Sequence, residues 1–144
     1  MLMFEQAPDT GIKPNFEKPT SARILVVDDE KLVRWSVGET LSKNNYTVEL
    51  ASSGEEAVKK AQSLFEKKQL GFDLVISDLK MDGMNGIEVA QEMKRISPET
   101  KVMVITAFHS ELEEQQIRDK SIAVWLEKPF EMQRLTEIVQ QLLS

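Results

Sequence analysis

The chain has 144 residues, 41% of them hydrophobic and 29% charged, enough for one domain with its own core and too ordinary a mixture for a disordered or membrane-embedded protein. It has no cysteine and one histidine, His109, which excludes a disulfide framework, a thiolate metal site and a histidine metal cluster. A formal net charge of −6 argues against direct nucleic-acid binding, no apolar run suits a membrane helix, and the N-terminus lacks a secretory pattern, so a cytoplasmic protein is expected whose chemistry rests on carboxylates, hydroxyls and lysines.

Residues 1–21 hold Pro8, Pro14 and Pro19 with scattered Gly, Asn and Thr and no periodicity, and read as a flexible tail ahead of a domain over 22–144. Ile24–Val27 is an aliphatic run suited to a strand buried on both faces. Glu30–Lys43 follows as a helix with an apolar stripe of Leu32, Val33, Val37 and Leu41. Thr47–Ala51 is a short strand, and Ser52–Ser53–Gly54 opens a helix to about Glu66, with Ala57, Val58, Ala61, Leu64 and Phe65 inward. Phe72–Ser77 is an almost wholly apolar third strand. A Gly/Asn/Asp loop, Met81–Asn85, leads into a helix over Gly86–Ile96 that Pro98 ends. Val102–Thr106 is the fourth strand, Ser110–Lys120 a weakly patterned helix, and Ala123–Leu126 the fifth strand. Pro129 precedes a last helix carrying Leu135, Ile138, Val139 and Leu142.

Five strands alternating with five helices predict βαβ crossovers and a doubly wound, five-stranded parallel sheet covered on both faces. The common order for such a sheet is 2-1-3-4-5, with the site at the carboxyl ends of the strands. On that rim the sequence places Asp28 and Asp29 after strand one, Asp78 after strand three, Thr106 at the end of strand four and Lys128 just past strand five. Two carboxylates about 4 Å apart repel by roughly 4 kcal/mol at an effective dielectric near 20. Adjacent acids on a rigid apolar strand therefore point to a hard divalent cation such as Mg²⁺, which selects oxygen ligands. A metal alone needs neither Thr106 nor Lys128, whereas a phosphoryl group uses a cation, a lysine and a hydroxyl together. Asp78, central in the sheet, is then the natural carboxylate nucleophile. Taken singly, Asp28 and Asp29 read as a solvated helix start, Asp78 as a turn cap and Thr106 as a strand-end threonine; the set together outweighs each.

"ILVVDDE", "DLVISDLKMDGMNG", "VMVITA" and "WLEKPF", in that order, resemble the receiver domain of bacterial two-component response regulators over Ala22 to Leu143. The resemblance implies the flavodoxin-like receiver fold, Asp78 as phosphoacceptor, Asp28 and Asp29 as metal-site acids, and Mg²⁺ as cofactor. It further implies a metal contact from the backbone carbonyl of Lys80, Thr106 as switch hydroxyl, Lys128 as phosphate-pairing lysine and Trp125 as switch aromatic. The implied donor is a histidine kinase or histidine phosphotransfer protein. The output partner would meet the face formed by the fourth helix, fifth strand and fifth helix, with homodimerisation on phosphorylation a further option. Such a protein is a signalling phosphoacceptor, not an enzyme. Lys80 and Phe108, two places beyond the phosphoacceptor and the switch hydroxyl, flank the path of attacking water in receivers. Neither can act as a base, so slow loss of the phosphoryl group is expected.

The sequence departs from the family at Asp82, where proline is usual, at Ser121–Ile122 in place of Gly-Ala, and at Trp125 in place of Tyr or Phe. These bear on the switch more than on phosphorylation. A haloacid-dehalogenase-type phosphohydrolase would need an aspartate two residues beyond Asp78, where Lys80 stands. A flavodoxin-like nucleotide binder would need a Gly- or Ser/Thr-rich loop after strand one, where three acids would repel an anion. An unphosphorylated interaction module on the same fold is the remaining alternative. The chain ends just after the last helix, which leaves a stand-alone receiver or a receiver cut from a longer protein.

Overall fold

The computed structural model describes residues 21–107, 110–118 and 121–144. Its elements in chain order are β1 (Arg23–Val27), α1 (Lys31–Lys43), β2 (Thr47–Ala51), α2 (Gly54–Lys68), β3 (Leu74–Asp78), α3 (Gly86–Ile96), β4 (Lys101–Thr106), α4 (Glu111–Ile117), β5 (Val124–Glu127) and α5 (Met132–Leu143). The strands form one parallel sheet in the order β2-β1-β3-β4-β5, as expected.

Successive side chains of a strand point to opposite faces, and both faces here are covered. Leu25 and Val27 of β1, Val75 of β3 and Val102 and Val104 of β4 pack with Ala57 and Ala61 of α2 and Val89, Ala90 and Met93 of α3. Ile24 and Val26, Leu74 and Ile76, and Met103 and Ile105 face the other way, onto Val37 and Leu41 of α1 and Leu135, Ile138 and Val139 of α5. Four helices of 11 to 15 residues, not the expected five, bring described buried residues to these two layers. The remaining helix, α4, has 7 residues where 110–120 was expected. Residues 119–120 of the expected helix lie outside the described residues.

Two apolar assignments change. Leu32 is 78% exposed and Phe65 is 38% exposed. Leu32 lies about 140° around the helix from Val37 at 100° per residue, so only Val33, Val37 and Leu41 share the inner face. Phe72 is buried but precedes the β3 ladder; its carbonyl accepts from Thr100 Oγ1 at 2.7 Å. β3 therefore starts two residues later than expected and ends one later, on Asp78 itself. β5 likewise shifts by one, to Val124–Glu127.

Caps set the helix starts. The Ser53 side chain accepts from Glu56 N at 3.0 Å, with Glu55 and Glu56 in the first turn of α2 and Lys67 and Lys68 in its last, matching the helix dipole. Asn85 and Glu88 close a reciprocal capping box at α3, both bonds at 2.9 Å. Of the expected N-terminal tail only Ser21 is described; its hydroxyl lies 2.6 Å from that of Thr47. No helix of the described residues is long and apolar enough to cross a membrane.

Candidate functional site

β1 and β3 are hydrogen-bonded neighbours, with Val27 beside Ser77, so the acids that follow β1 and the aspartate that ends β3 must meet on one rim. Asp28 and Asp78 are buried and Asp29 is exposed. One carboxylate oxygen from each lies within 4.8 Å of the others, the candidate metal-binding group found among the described residues. An all-oxygen, strongly anionic donor set of this kind fits Mg²⁺.

The acids are held from behind. Asp28 N donates to the Ala51 carbonyl at 3.2 Å, and Asp28 Oδ1 accepts from Glu30 N at 2.8 Å. Arg34, in the first turn of α1, donates from Nη1 to the Asp28 carbonyl at 2.7 Å. Leu79 N donates to the Ile105 carbonyl at 2.7 Å, which ties the exit of β3 to β4. Gly86 N donates to the Leu79 carbonyl at 2.9 Å, closing the loop between Asp78 and α3. A Cβ at Gly86 would stand 2.5 Å from the Asp78 carbonyl oxygen, so the helix start can sit this close to the strand only with glycine there.

Thr106 is fully buried at the end of β4. Its carbonyl accepts from Lys128 N at 2.8 Å, which brings β5's following residue onto the same rim. Lys128 Nζ lies 3.5 Å from Asp78 Oδ2 and 3.9 Å from Glu30 Oε1. The Lys128–Pro129 peptide bond is cis. The rim therefore brings together Asp28, Asp29, Asp78, Thr106 and Lys128.

Burial pushes the Asp28 carboxyl up to about 6, helped by the neighbouring Asp78 and Asp29 charges and opposed by its hydrogen bond from Glu30 N and by Lys128. Burial also raises Asp78, against the attraction and hydrogen bond of Lys128. A crowded anion pair beside a single ammonium is a site that gains by binding another cation.

Lys80 follows on the exposed loop. Phe108, paired with it in the sequence reading, lies outside the described residues, as does His109. Trp125 is half-buried, packed on the α2–α3 layer, with the Arg118 guanidinium 5.2 Å from its ring centre. Glu30, Arg34 and Gly86 were not singled out for the site. Glu30 was legible as the third acid of the run, whereas the roles of Arg34 and Gly86 turn on backbone atoms.

Residues 24–140 match the family described as response regulator receiver domain. This chain belongs to the response regulator receiver family. Within that family, it is 35% identical over 123 residues to the response regulator MprA of Mycobacterium ulcerans, covering 85% of this chain and 50% of that protein. The chain spans about half the length of the curated relatives it matches. Among solved structures, the chemotaxis protein CheY4 of Vibrio cholerae superposes with a TM-score of 0.76 at 32% identity, over 86% of this chain and all of that chain. The response regulator TrrA of Thermotoga maritima, solved in complex with Mg²⁺-BeF, gives 0.71 at 34% identity, over 85% of this chain and 99% of that chain. Response regulators of this family act in two-component signalling.

Proposed function

We propose that this receiver takes a phosphoryl group onto Asp78 from the phosphohistidine of a histidine kinase or histidine phosphotransfer protein, in a Mg²⁺-dependent step. The observation that carries the reading is the placement of Lys128 Nζ 3.5 Å from the Asp78 carboxylate inside a cluster of three acids. Asp78 attacks as the carboxylate: a new O–P bond forms, the histidine N–P bond breaks, and the electron pair leaves with the imidazole. Lys128 keeps Asp78 ionised against its burial and then pairs with a phosphoryl oxygen. Asp28, Asp29 and the Lys80 carbonyl are the groups assigned to hold Mg²⁺, which when bound supplies charge neutralisation at the phosphoryl oxygens. Thr106 supplies the hydroxyl that turns toward the new phosphoryl group.

The modification adds roughly two negative charges at a rim that already carries three acids. Movement of Thr106 would free Trp125 to turn inward and change the α4–β5–α5 face, altering affinity for an output protein or domain or for a second copy. For the donor, a groove of about 680 Å³ lined by exposed Leu32 with Val33, Phe130 and Met132 includes Lys128, the lysine that pairs with Asp78, so a helix docked there would approach the phosphoacceptor. The reading assigns the protein to the cytoplasm as a signalling phosphoacceptor, with residues 22–144 as the receiver.

Incubation with acetyl phosphate and Mg²⁺ should add one phosphoryl group by intact mass, and Asp78→Asn should abolish the addition. A variant labelled at the parent's rate would overturn the assignment.

A further inference from the structure

The loop between Asp78 and α3 carries the Lys80 carbonyl assigned to Mg²⁺, yet its middle has no strand or helix to hold it. Its ends are anchored, by buried Leu79 and by the Gly86 N bond to the Leu79 carbonyl at 2.9 Å. Asp82 lacks the ring by which a proline would restrain the backbone there. The restraint comes from the neighbouring helix on the same face of the sheet, from the first turn of α2. Glu55 Oε2 accepts from Met84 N at 3.2 Å. Gly83, at φ +77°, lets the carboxylate come close: a Cβ there would stand 2.8 Å from Glu55 Oε2. Gly54 does the same for Met84, since a Cβ on Gly54 would stand 2.8 Å from Met84 Cβ and 2.9 Å from Val89 Cγ2. Gly54–Glu55 and Gly83–Met84 thus form one clasp between α2 and the phosphoacceptor loop.

We infer that Glu55 is a positioning residue for the metal site, holding the Asp78–α3 loop through the Met84 amide so that the Lys80 carbonyl stays on the Mg²⁺ side. The inference rests on the proposed Mg²⁺ site. Glu55 touches neither metal nor phosphoryl group in this role. Its effect is entropic: a loop held before binding loses less freedom when the cation arrives. A carboxylate and a primary amide both offer an acceptor oxygen, so the role survives Glu55→Gln and fails in Glu55→Ala.

Two measurements decide it on the full chain. In the Mg²⁺-free proteins, hydrogen exchange of the Gly83 and Met84 amides should be faster in Glu55→Ala and parent-like in Glu55→Gln. Mg²⁺ titration followed by tryptophan fluorescence should show about 3- to 10-fold weaker binding in Glu55→Ala, the range one net hydrogen bond supports, with Glu55→Gln close to the parent. Thermal midpoints without Mg²⁺ identify any general loss of folding. Parent-like exchange and Mg²⁺ affinity in Glu55→Ala would overturn the clasp, and equal losses in both variants would assign the effect to charge and also overturn it. A parent that binds no Mg²⁺ would instead overturn the metal site itself, separately from the exchange result.

Discussion

At the amino ends of the strands, Thr100, Asp73 and Lys94 each have a backbone partner inside the protein. Thr100 Oγ1 donates to the Phe72 carbonyl at 2.7 Å, the Asp73 carboxylate accepts from Arg23 N at 2.7 Å, and Lys94 Nζ donates to the carbonyls of Pro98, at 3.2 Å, and Thr100, at 2.5 Å. At the carboxyl ends, Asp28 and Asp78 are about as buried, but they crowd Asp29 and share one ammonium, and both are pushed toward the neutral form. The same sheet thus has one rim that settles its hydrogen bonds and another that leaves an electrostatic debt for a ligand to settle. Stability belongs to the first rim, and the chemistry proposed above to the second.

The contrast breaks most visibly at Asp28. Its carboxyl titrates near 6 in the folded protein and near 3.8 unfolded. With the folded value raised, the native state holds the proton more tightly. The unfolded chain therefore ionises first as pH rises, and stability falls between about pH 4 and 6 and stays lowered above. The cost at pH 8 is at most about 3 kcal/mol. Asp28→Asn removes the charge while keeping an acceptor for Glu30 N. It should raise stability without Mg²⁺ by about 2–3 kcal/mol at pH 8 and by close to nothing at pH 4, in urea unfolding followed by circular dichroism. Mg²⁺ should stabilise the parent and leave this variant unmoved. A variant no more stable than the parent at pH 8 would mean that the acids are not in conflict.

The opposite rim should respond the other way. Thr100→Val keeps the shape of a buried side chain and removes the donor to the Phe72 carbonyl. The loss should be about 1–2 kcal/mol, from an unsatisfied buried carbonyl, at every pH. Acetyl phosphate labelling and Mg²⁺ affinity should not change. A phosphorylation defect in a still-folded Thr100→Val protein would show that the two rims are coupled through the sheet.

How far the sequence could be read follows from the kind of partner each residue has. The strands were legible because a parallel sheet buried on both faces needs continuous aliphatic runs, and "ILVV", "LVIS" and "VMVI" are such runs. The principal rim residues were legible because chain direction alone sends Asp28, Asp29, Asp78, Thr106 and Lys128 to one end of a parallel sheet. Leu32 was misplaced because two adjacent apolar residues begin the α1 stripe and helical spacing admits only the second. Arg34 and Glu55 were not legible at all. Each bonds a backbone atom, the Asp28 carbonyl and the Met84 amide, and a backbone atom leaves no mark in the pattern of residue types. The start of α4 was legible to within one residue, although a polar segment gives periodicity little to act on.

The smallest expected effect lies where the two-rim contrast gives way to the proposed switch. Trp125 is half-buried, one side of it on the α2–α3 layer, and Arg118 lies over its ring at 5.2 Å. Arg118 is itself held by Glu114 at 2.9 Å, one turn earlier in α4, so the guanidinium is placed before it meets the indole. A cation over an aromatic face at an exposed site contributes about 0.5–1 kcal/mol. If inward rotation of Trp125 accompanies phosphorylation, that contact favours the unphosphorylated arrangement, and its removal shifts the balance by the same amount. Arg118→Ala should then raise the population of the inward state, and the rate of labelling by acetyl phosphate, by about 2- to 5-fold. Arg118→Lys, which retains the charge but not the planar stacking, should fall between the two. Trp125 fluorescence, with Trp35 replaced by phenylalanine to leave one reporter, should move in Arg118→Ala toward the value the parent reaches on phosphorylation. Unchanged fluorescence and labelling in that variant would mean that Trp125 packs there as core and takes no part in the switch.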